Sequence, residues 1–263
     1  MMENPIRQNP GNAFPNPEEE ICRCAVVTDL HYSRLPNPLI PERRGELALE
    51  LLRKVFDFYL ERVTDLFLVG GDCLNDPEDP EAEILLAEVD EIFRTASAPV
   101  LVIPGNHDPA PEKFYRFLHR VPDPIVLKHC RFVPFSEDPG TAGYHAVRTR
   151  EGLRKTAEAA QNRKERLIAL QHVPLYPPSL DKARYHYENA AEIVQCMENS
   201  QYILSVSGHQ HEGAPMEFLH GITYLTAPSL TEHPFRSMEI EIRPDGTVSS
   251  RLHAHCNKHS ADS

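Results

Sequence analysis

The sequence predicts an α/β fold in which two β-sheets pack together and helices cover them. Three observations carry this. Short apolar runs alternate with amphipathic helical spacing through the front of the chain, the last third holds strand-like runs without helices between them, and an Asp-Gly pair marks a hairpin there. Residues 1–20 contain four prolines, four asparagines and an acidic triplet, and read as a flexible arm. Residues 22–28 read as a strand. Residues 45–61 place Leu47, Leu51, Val55 and Phe58 at helical spacing. A strand is expected at 65–69, a helix at 80–96, a third strand at 99–103 and a short helix at 112–118. A polar helix follows at 156–164, a strand at 167–170, a helix at 188–198 and a strand at 202–206. Short strands at 215–219, 223–225, 237–242 and 248–252 close the ordered part, with Asp245-Gly246 at the turn. With no repeat and no linker, residues 21–252 form one expected domain, and 253–263 a flexible polar tail with three histidines and a cysteine.

Composition excludes several functions. The 263 residues hold 27 Lys and Arg against 39 Asp and Glu, a formal charge of −12. Such a chain lacks the basic footprint of a protein that grips a nucleic-acid polymer. The longest apolar run is four residues, as at Leu66–Val69, where a membrane-spanning helix needs about 20. The first 20 residues contain no apolar signal core. The six cysteines, at 22, 24, 73, 130, 196 and 256, show no paired metal-binding spacing. They read as reduced thiols, most of them small buried hydrophobes, in a cytoplasmic protein.

The polar residues capable of holding metals gather just past the expected strand ends. These are Asp29 and His31, then Gly71-Asp72, then Gly105-Asn106-His107-Asp108, then His172, then Gly208-His209-Gln210-His211. Ligands of open α/β sheets bind at the carboxyl ends of the strands. On an extended segment residues i and i+2 face the same way, so Asp29 and His31 can share a site, as can His209 and His211. The preceding glycines permit close backbone approach. Mixed carboxylate, amide and imidazole donors suit Mn, Fe or Zn rather than a soft thiolate site.

This ordered set resembles the calcineurin-like metallophosphoesterase superfamily, whose pattern runs DxH, GD, GNHD or GNHE, a lone His, then GHxH. The resemblance spans residues 22 to about 250. It implies a four-layer α-β-β-α sandwich of two mixed β-sheets flanked by helices. It implies that Asp29, His31 and His211 hold one metal, that Asn106, His172 and His209 hold a second, and that Asp72 bridges them. It places His107 beside the substrate phosphate, with Asp108 orienting it; Asp108 followed by Pro109 also reads as a helix cap. The implied chemistry is attack by a hydroxide between the two metals on a phosphate ester.

Departures narrow the subclass. Asp72 is followed by Cys73-Leu74-Asn75-Asp76-Pro77, without the arginine of the Ser/Thr protein phosphatases. Asn75 stands where purple acid phosphatases place a tyrosine, and His31 where they have glycine. The remaining pattern, with residues 173–178 after His172 and Ala227-Pro228-Ser229, is similar to the small bacterial-type branch that includes cyclic-nucleotide phosphodiesterases. The leading expectation is therefore hydrolysis of a small phosphodiester such as a cyclic nucleotide. A phosphomonoesterase or nucleotide-linked pyrophosphatase is the alternative, and a non-catalytic metal-binding scaffold the third reading. Ligand completeness argues against the scaffold. Arg34, Asn75 and Tyr185 are the expected substrate contacts. Tyr185 lies in a loop, 176–187, that could cap the site and stack on a base.

Overall fold

The structure, a computed structural model, describes residues 20–118, 123–176 and 184–256. Strand β1 (Cys22–Val27) lies beside β2 (Leu66–Val69), and β2 beside β3 (Val100–Val102), all parallel. The chain adds β12 (Arg236–Ile242) antiparallel to β1, and β13 (Val248–Ala254) antiparallel to β12. The resulting five-stranded order is β13-β12-β1-β2-β3. A second, six-stranded sheet runs β10 (Ala214–Leu219), β11 (Ile222–Thr226), β9 (Tyr202–Ser207), β8 (Arg166–Gln171), β5 (Cys130–Phe135) and β4 (Ile125–Leu127). Both sheets are mixed, as expected.

Strand alternation sorts the side chains into three cores. Cys22, Cys24 and Val26 of β1 face Phe132, Ile168, Leu204 and Leu225 in the layer between the sheets. Ala25 and Val27 face the other way, onto helices α1 (Ala48–Leu60) and α2 (Ala82–Phe93). In β8, Ile168 and Leu170 face inward while Leu167 and Ala169 pack under Ile193, Val194 and Met197 of α5 (Ala190–Asn199). The central strands are buried on both faces, which is why they read as unbroken apolar runs rather than alternating ones. Three cores between four layers are the α-β-β-α sandwich that the resemblance implied.

Several boundaries differ from expectation. The polar helix is α4 (Arg150–Glu158), six residues earlier than the 156–164 expected. Its start is set by Thr149, whose Oγ1 accepts the Gly152 N–H at 3.0 Å. The short helix α3 (Pro111–Phe114) is a single turn. Strands β4 and β5 were not expected. Pro134 obscures β5, yet it lies beyond the stretch that β4 pairs, Cys130 to Phe132, where the ladder to β4 asks no donor of it. A small hairpin of β6 (Gly140–Thr141) and β7 (His145–Ala146) was also missed.

The chain end is corrected most clearly. Residues 253–256 are no tail: β13 continues through Ala254, and His253 Nε2 lies 2.8 Å from Glu239 Oε2. His255 is buried, with Nε2 2.8 Å from Ser237 Oγ. The rest of the expected tail, the arm over 1–19 and the middle of the 176–187 loop lie outside the described residues. Among the described residues no helix is long and apolar enough to cross a membrane.

Candidate metal centre

The loops after β1, β2, β3, β8 and β9 meet at one rim, as the sequence predicts, but not by strand alternation. Asp29 and His31 have φ of 54° and 44°, Asp72 has 52° and His209 has 67°. All four occupy the left-handed region, costly for these residues and held only where the surroundings enforce it. Backbone bonds hold the first three, with Asp29 N–H donating to Gly71 O at 3.0 Å and His31 N–H to Asp72 O at 2.9 Å, and the His209 N–H donates to the Asp29 carboxylate. Gly71, at φ 102°, passes so close to the neighbouring loops that a Cβ there would stand 2.7 Å from His172 Nδ1 and 2.8 Å from Gly105 N.

Two ligand sets result. In the first, His31 Nε2 and His211 Nε2 are 3.0 Å apart, and His211 Nε2 is 3.4 Å from Asp29 Oδ1. In the second, His172 Nε2 is 3.0 Å from Asn106 Oδ1, 3.1 Å from His209 Nδ1 and 3.3 Å from Asp72 Oδ2. Asp72 Oδ2 is also 3.6 Å from His31 Nε2, so one oxygen faces both sets. All seven expected ligands are therefore brought together.

Most of the second oxygens and nitrogens of these ligands are spent on the protein, whereas His31 Nδ1 is buried with no hydrogen-bond partner. Asp29 Oδ2 accepts from Thr28 Oγ1 at 2.7 Å and from His209 N–H at 2.9 Å. Asp72 Oδ1 accepts the His107 N–H at 2.8 Å. His172 Nδ1 reaches Gly70 O at 2.7 Å, and His209 Nε2 reaches Tyr144 O at 2.9 Å. Carbonyls only accept, so these contacts hold a proton on the outer nitrogen, and exchange of any inner proton for a cation would leave a lone pair facing the centre. His211 Nδ1 lies 2.5 Å from Glu232 Oε1. Glu232 was not foreseen: Ala227-Pro228-Ser229 marked its segment, but no motif marked the acid itself.

The residues fit a pair of cations. Asp29 Oδ1 is buried without a hydrogen-bond donor. Imidazole nitrogens facing one another at 3.0 Å need a proton or a cation between them. Burial alone would raise Asp29 and Asp72, yet His211 and His172 hold both carboxyls well below the usual range. Burial works against charge on the imidazoles too. Even so, Asp72 lifts His172 to about 9, and Asp29 with Glu232 lifts His211 to about 10. Burial wins for His31 and His209, lowered to about 3 and about 4. Each buried carboxylate thus demands a positive partner, which a proton supplies here and a metal ion would supply more strongly.

His107 lies beside this centre, its ring 4.8 Å from that of His31. Its Nδ1 is 2.7 Å from the backbone carbonyl of Asn75. Asp108 does not orient it. Both Asp108 oxygens take backbone N–H groups instead, from Leu74 at 2.9 Å, Cys73 at 3.0 Å and Gly105 at 2.9 Å. It caps no regular helix either; it ties the loop after β2 to the loop after β3. Burial, then the charge of Asp72, push its carboxyl up to about 7.

The expected substrate contacts divide. Arg34 is bound to Glu81 at 2.6 Å and Glu88 at 3.0 Å on the surface, and does not line the cleft. Asn75 supports the rim through its carbonyl. Tyr185 does line the cleft, its ring 4.6 Å from that of His209. The cleft holds about 380 Å³ and is also lined by Arg43, Tyr144, Arg184 and Glu212, none of them foreseen. In the sequence Glu42-Arg43-Arg44 looks like any solvated charge run.

Comparison with known proteins gives the family and the fold. The calcineurin-like phosphoesterase family profile matches residues 22–213. No curated protein sequence matches. A dimetal phosphatase from Danio rerio superposes with TM-score 0.64 at 14% identity, covering 89% of this chain and 99% of that one. A purple acid phosphatase from yellow lupin (Lupinus luteus) seeds gives TM-score 0.59 at 12% identity, over 89% of this chain and 52% of that one. A putative 5'-nucleotidase from Staphylococcus aureus gives 0.53 at 12% identity, over 90% and 55%. These likenesses show the shared fold, while the profile match covers more than half of the chain: it belongs to the calcineurin-like phosphoesterase family, whose members hydrolyse phosphoester bonds with bound metal ions.

Proposed function

We propose that this chain hydrolyses a small phosphodiester, such as a cyclic nucleotide, using two Mn, Fe or Zn ions held by Asp29, His31, Asp72, Asn106, His172, His209 and His211. The observation that carries the proposal is the shared Asp72 oxygen, which faces both ligand sets with His107 beside them. Bound there, two cations supply Lewis acidity and a water activated at neutral pH. The chain's own residues supply the rest. The Asn75 carbonyl holds a proton on His107 Nδ1, so a second proton taken up at Nε2 is the one that the imidazolium would hand to the departing oxygen. Asp72 Oδ1 accepts the His107 backbone N–H, which ties the loop that carries this imidazole to the carboxylate facing both sets.

Charge and the aromatic lining support a diester. Apart from the metal ligands, the cleft is lined by Glu42, Glu212 and Glu232 against Arg43 and Arg184. A monoanionic diester meets less repulsion from these rim carboxylates than a dianionic monoester. Tyr144 and Tyr185 stand beside His209, where a base or aryl group can stack. Arg43 is the observation that favours the second reading, a monoesterase. The solved structures similar in fold include a dimetal phosphatase and a putative 5'-nucleotidase. Six unpaired cysteines support a reducing compartment such as the cytoplasm.

The test compares bis(p-nitrophenyl) phosphate with p-nitrophenyl phosphate after Mn²⁺ loading, with the His107→Ala variant alongside. Faster diester cleavage, reduced about 10²- to 10⁴-fold in the variant, is expected from the loss of a general acid. Faster monoester cleavage overturns the diester reading.

A further inference from the structure

Arg43 and Arg184 are the guanidiniums that line the metal-side cleft. Arg184 lies over Tyr185, its guanidinium carbon 5.3 Å from the ring centre. Arg43 is spent on less. Its Nη1 reaches Asn75 Oδ1 at 3.4 Å, and its Nε is buried with no acceptor. A buried, unsatisfied donor on a cation is costly unless something negative completes it.

The loop around Arg43 is prepared to hold it. The Arg43 N–H donates to Ile40 O at 3.0 Å, and the Arg44 N–H to Thr231 O at 3.0 Å, next to Glu232. Asn37 Oδ1 accepts the Leu39 and Ile40 N–H groups, and its amide reaches the same Asn75 Oδ1 at 3.4 Å. Asn75 therefore serves three groups with two atoms, Asn37 and Arg43 sharing its side-chain oxygen. Its backbone carbonyl holds His107, and its side-chain oxygen holds Arg43.

We propose that Arg43 binds a non-bridging oxygen of the substrate's phosphoryl group, and that the Asn75 side chain positions it there in register with His107. This deepens the phosphoesterase reading and rests on it. A planar guanidinium suits the task because its N–H groups form a fork that matches two phosphate oxygens, while an ammonium offers a point charge. Arg43 is a substrate-binding residue and Asn75 a positioning residue. Asn75→Ala keeps the backbone carbonyl that serves His107, so it separates the two roles.

The experiment titrates inorganic phosphate calorimetrically into the Mn²⁺-loaded full chain. The proteins are the wild type, Arg43→Ala, Arg43→Lys, Asn75→Ala and the Arg43→Ala/Asn75→Ala double variant, each first checked for metal content and melting temperature. Hydrolysis of bis(p-nitrophenyl) phosphate is followed in parallel. Arg43→Ala is expected to weaken phosphate binding and raise KM about tenfold or more, with metal content unchanged. Arg43→Lys restores only part of this. Asn75→Ala gives a smaller loss that does not add to that of Arg43→Ala, because it acts through the same guanidinium. Arg34→Ala, measured alongside as a surface control, changes neither readout. Unchanged phosphate affinity and KM in Arg43→Ala, with an active wild type, overturn the assignment and leave the phosphoesterase reading intact. Additive losses in the double variant overturn the positioning role of Asn75. A wild type that hydrolyses no ester, yet loses phosphate affinity with Arg43, overturns the function and supports the anion contact.

Discussion

Replacing Glu232 by glutamine removes one negative charge next to His211 and keeps the shape. Its Oε1 lies 2.5 Å from His211 Nδ1, and the two side chains are only 24% and 16% exposed, so water screens the pair weakly. A hydrogen bond to a charged group contributes roughly 1.5–3 kcal/mol, about twice a neutral one. Glutamine can still accept from Nδ1, so the loss is the ionic half, about 1.5 kcal/mol, or roughly tenfold in affinity. It should fall on one metal only. Glu232 supports the set of Asp29, His31 and His211, whereas His172 and His209 lean on the carbonyls of Gly70 and Tyr144. Stepwise Mn²⁺ titration of the stripped protein should show one site weakened about tenfold and the other unchanged. Equal weakening of both sites, or of neither, would show that Glu232 does not tune the first position.

Four further outcomes follow from the geometry. Asp72→Asn should lose both metals together, read as metal equivalents after dialysis, because one oxygen faces both sets. Arg34→Ala should leave KM unchanged and shift stability by less than about 1 kcal/mol, since its partners are surface carboxylates. Asp138→Ala should destabilise by about 3–5 kcal/mol in a denaturant titration, because Arg148, fully buried with Nε 3.0 Å from Asp138, would be left as an uncompensated charge. His255 should contribute a pH dependence. Burial, then the charges of His253 and Lys54, lower it to about 4 against an unfolded value of about 6.5. Its neutral form is favoured in the fold, so its contribution is complete above pH 6.5 and declines as pH falls toward 4. At pH 5 that is about 1 kcal/mol once solvent screening is allowed for. The drop in melting temperature from pH 7 to pH 5 should therefore be smaller for His255→Gln than for the wild type.

The parts of the fold legible in the sequence were those where a local pattern and a tertiary demand coincide. β1, β2 and β8 had to be apolar on both faces, so their runs announced them. The ligands were legible because Asp, Asn and His after successive strand ends form an order that chance does not produce. How they converge was not legible. Left-handed backbone at Asp29, His31, Asp72 and His209 is imposed by loop-to-loop hydrogen bonds, which no spacing reveals. The supporting residues were hidden for a related reason. Glu232 and Arg43 are ordinary charged residues in their own segments, and contacts more than twenty residues away in sequence give them their roles. Arg34 misled because it followed a ligand pair, while Glu81 and Glu88 of a distant segment had already claimed it.

The most direct test is anomalous diffraction from crystals of the Mn²⁺-loaded protein. Two peaks are expected, one contacting Asp29, His31 and His211, the other Asn106, His172 and His209, with Asp72 touching both. A single peak, or two peaks that do not share Asp72, would show that the dinuclear centre is not built this way.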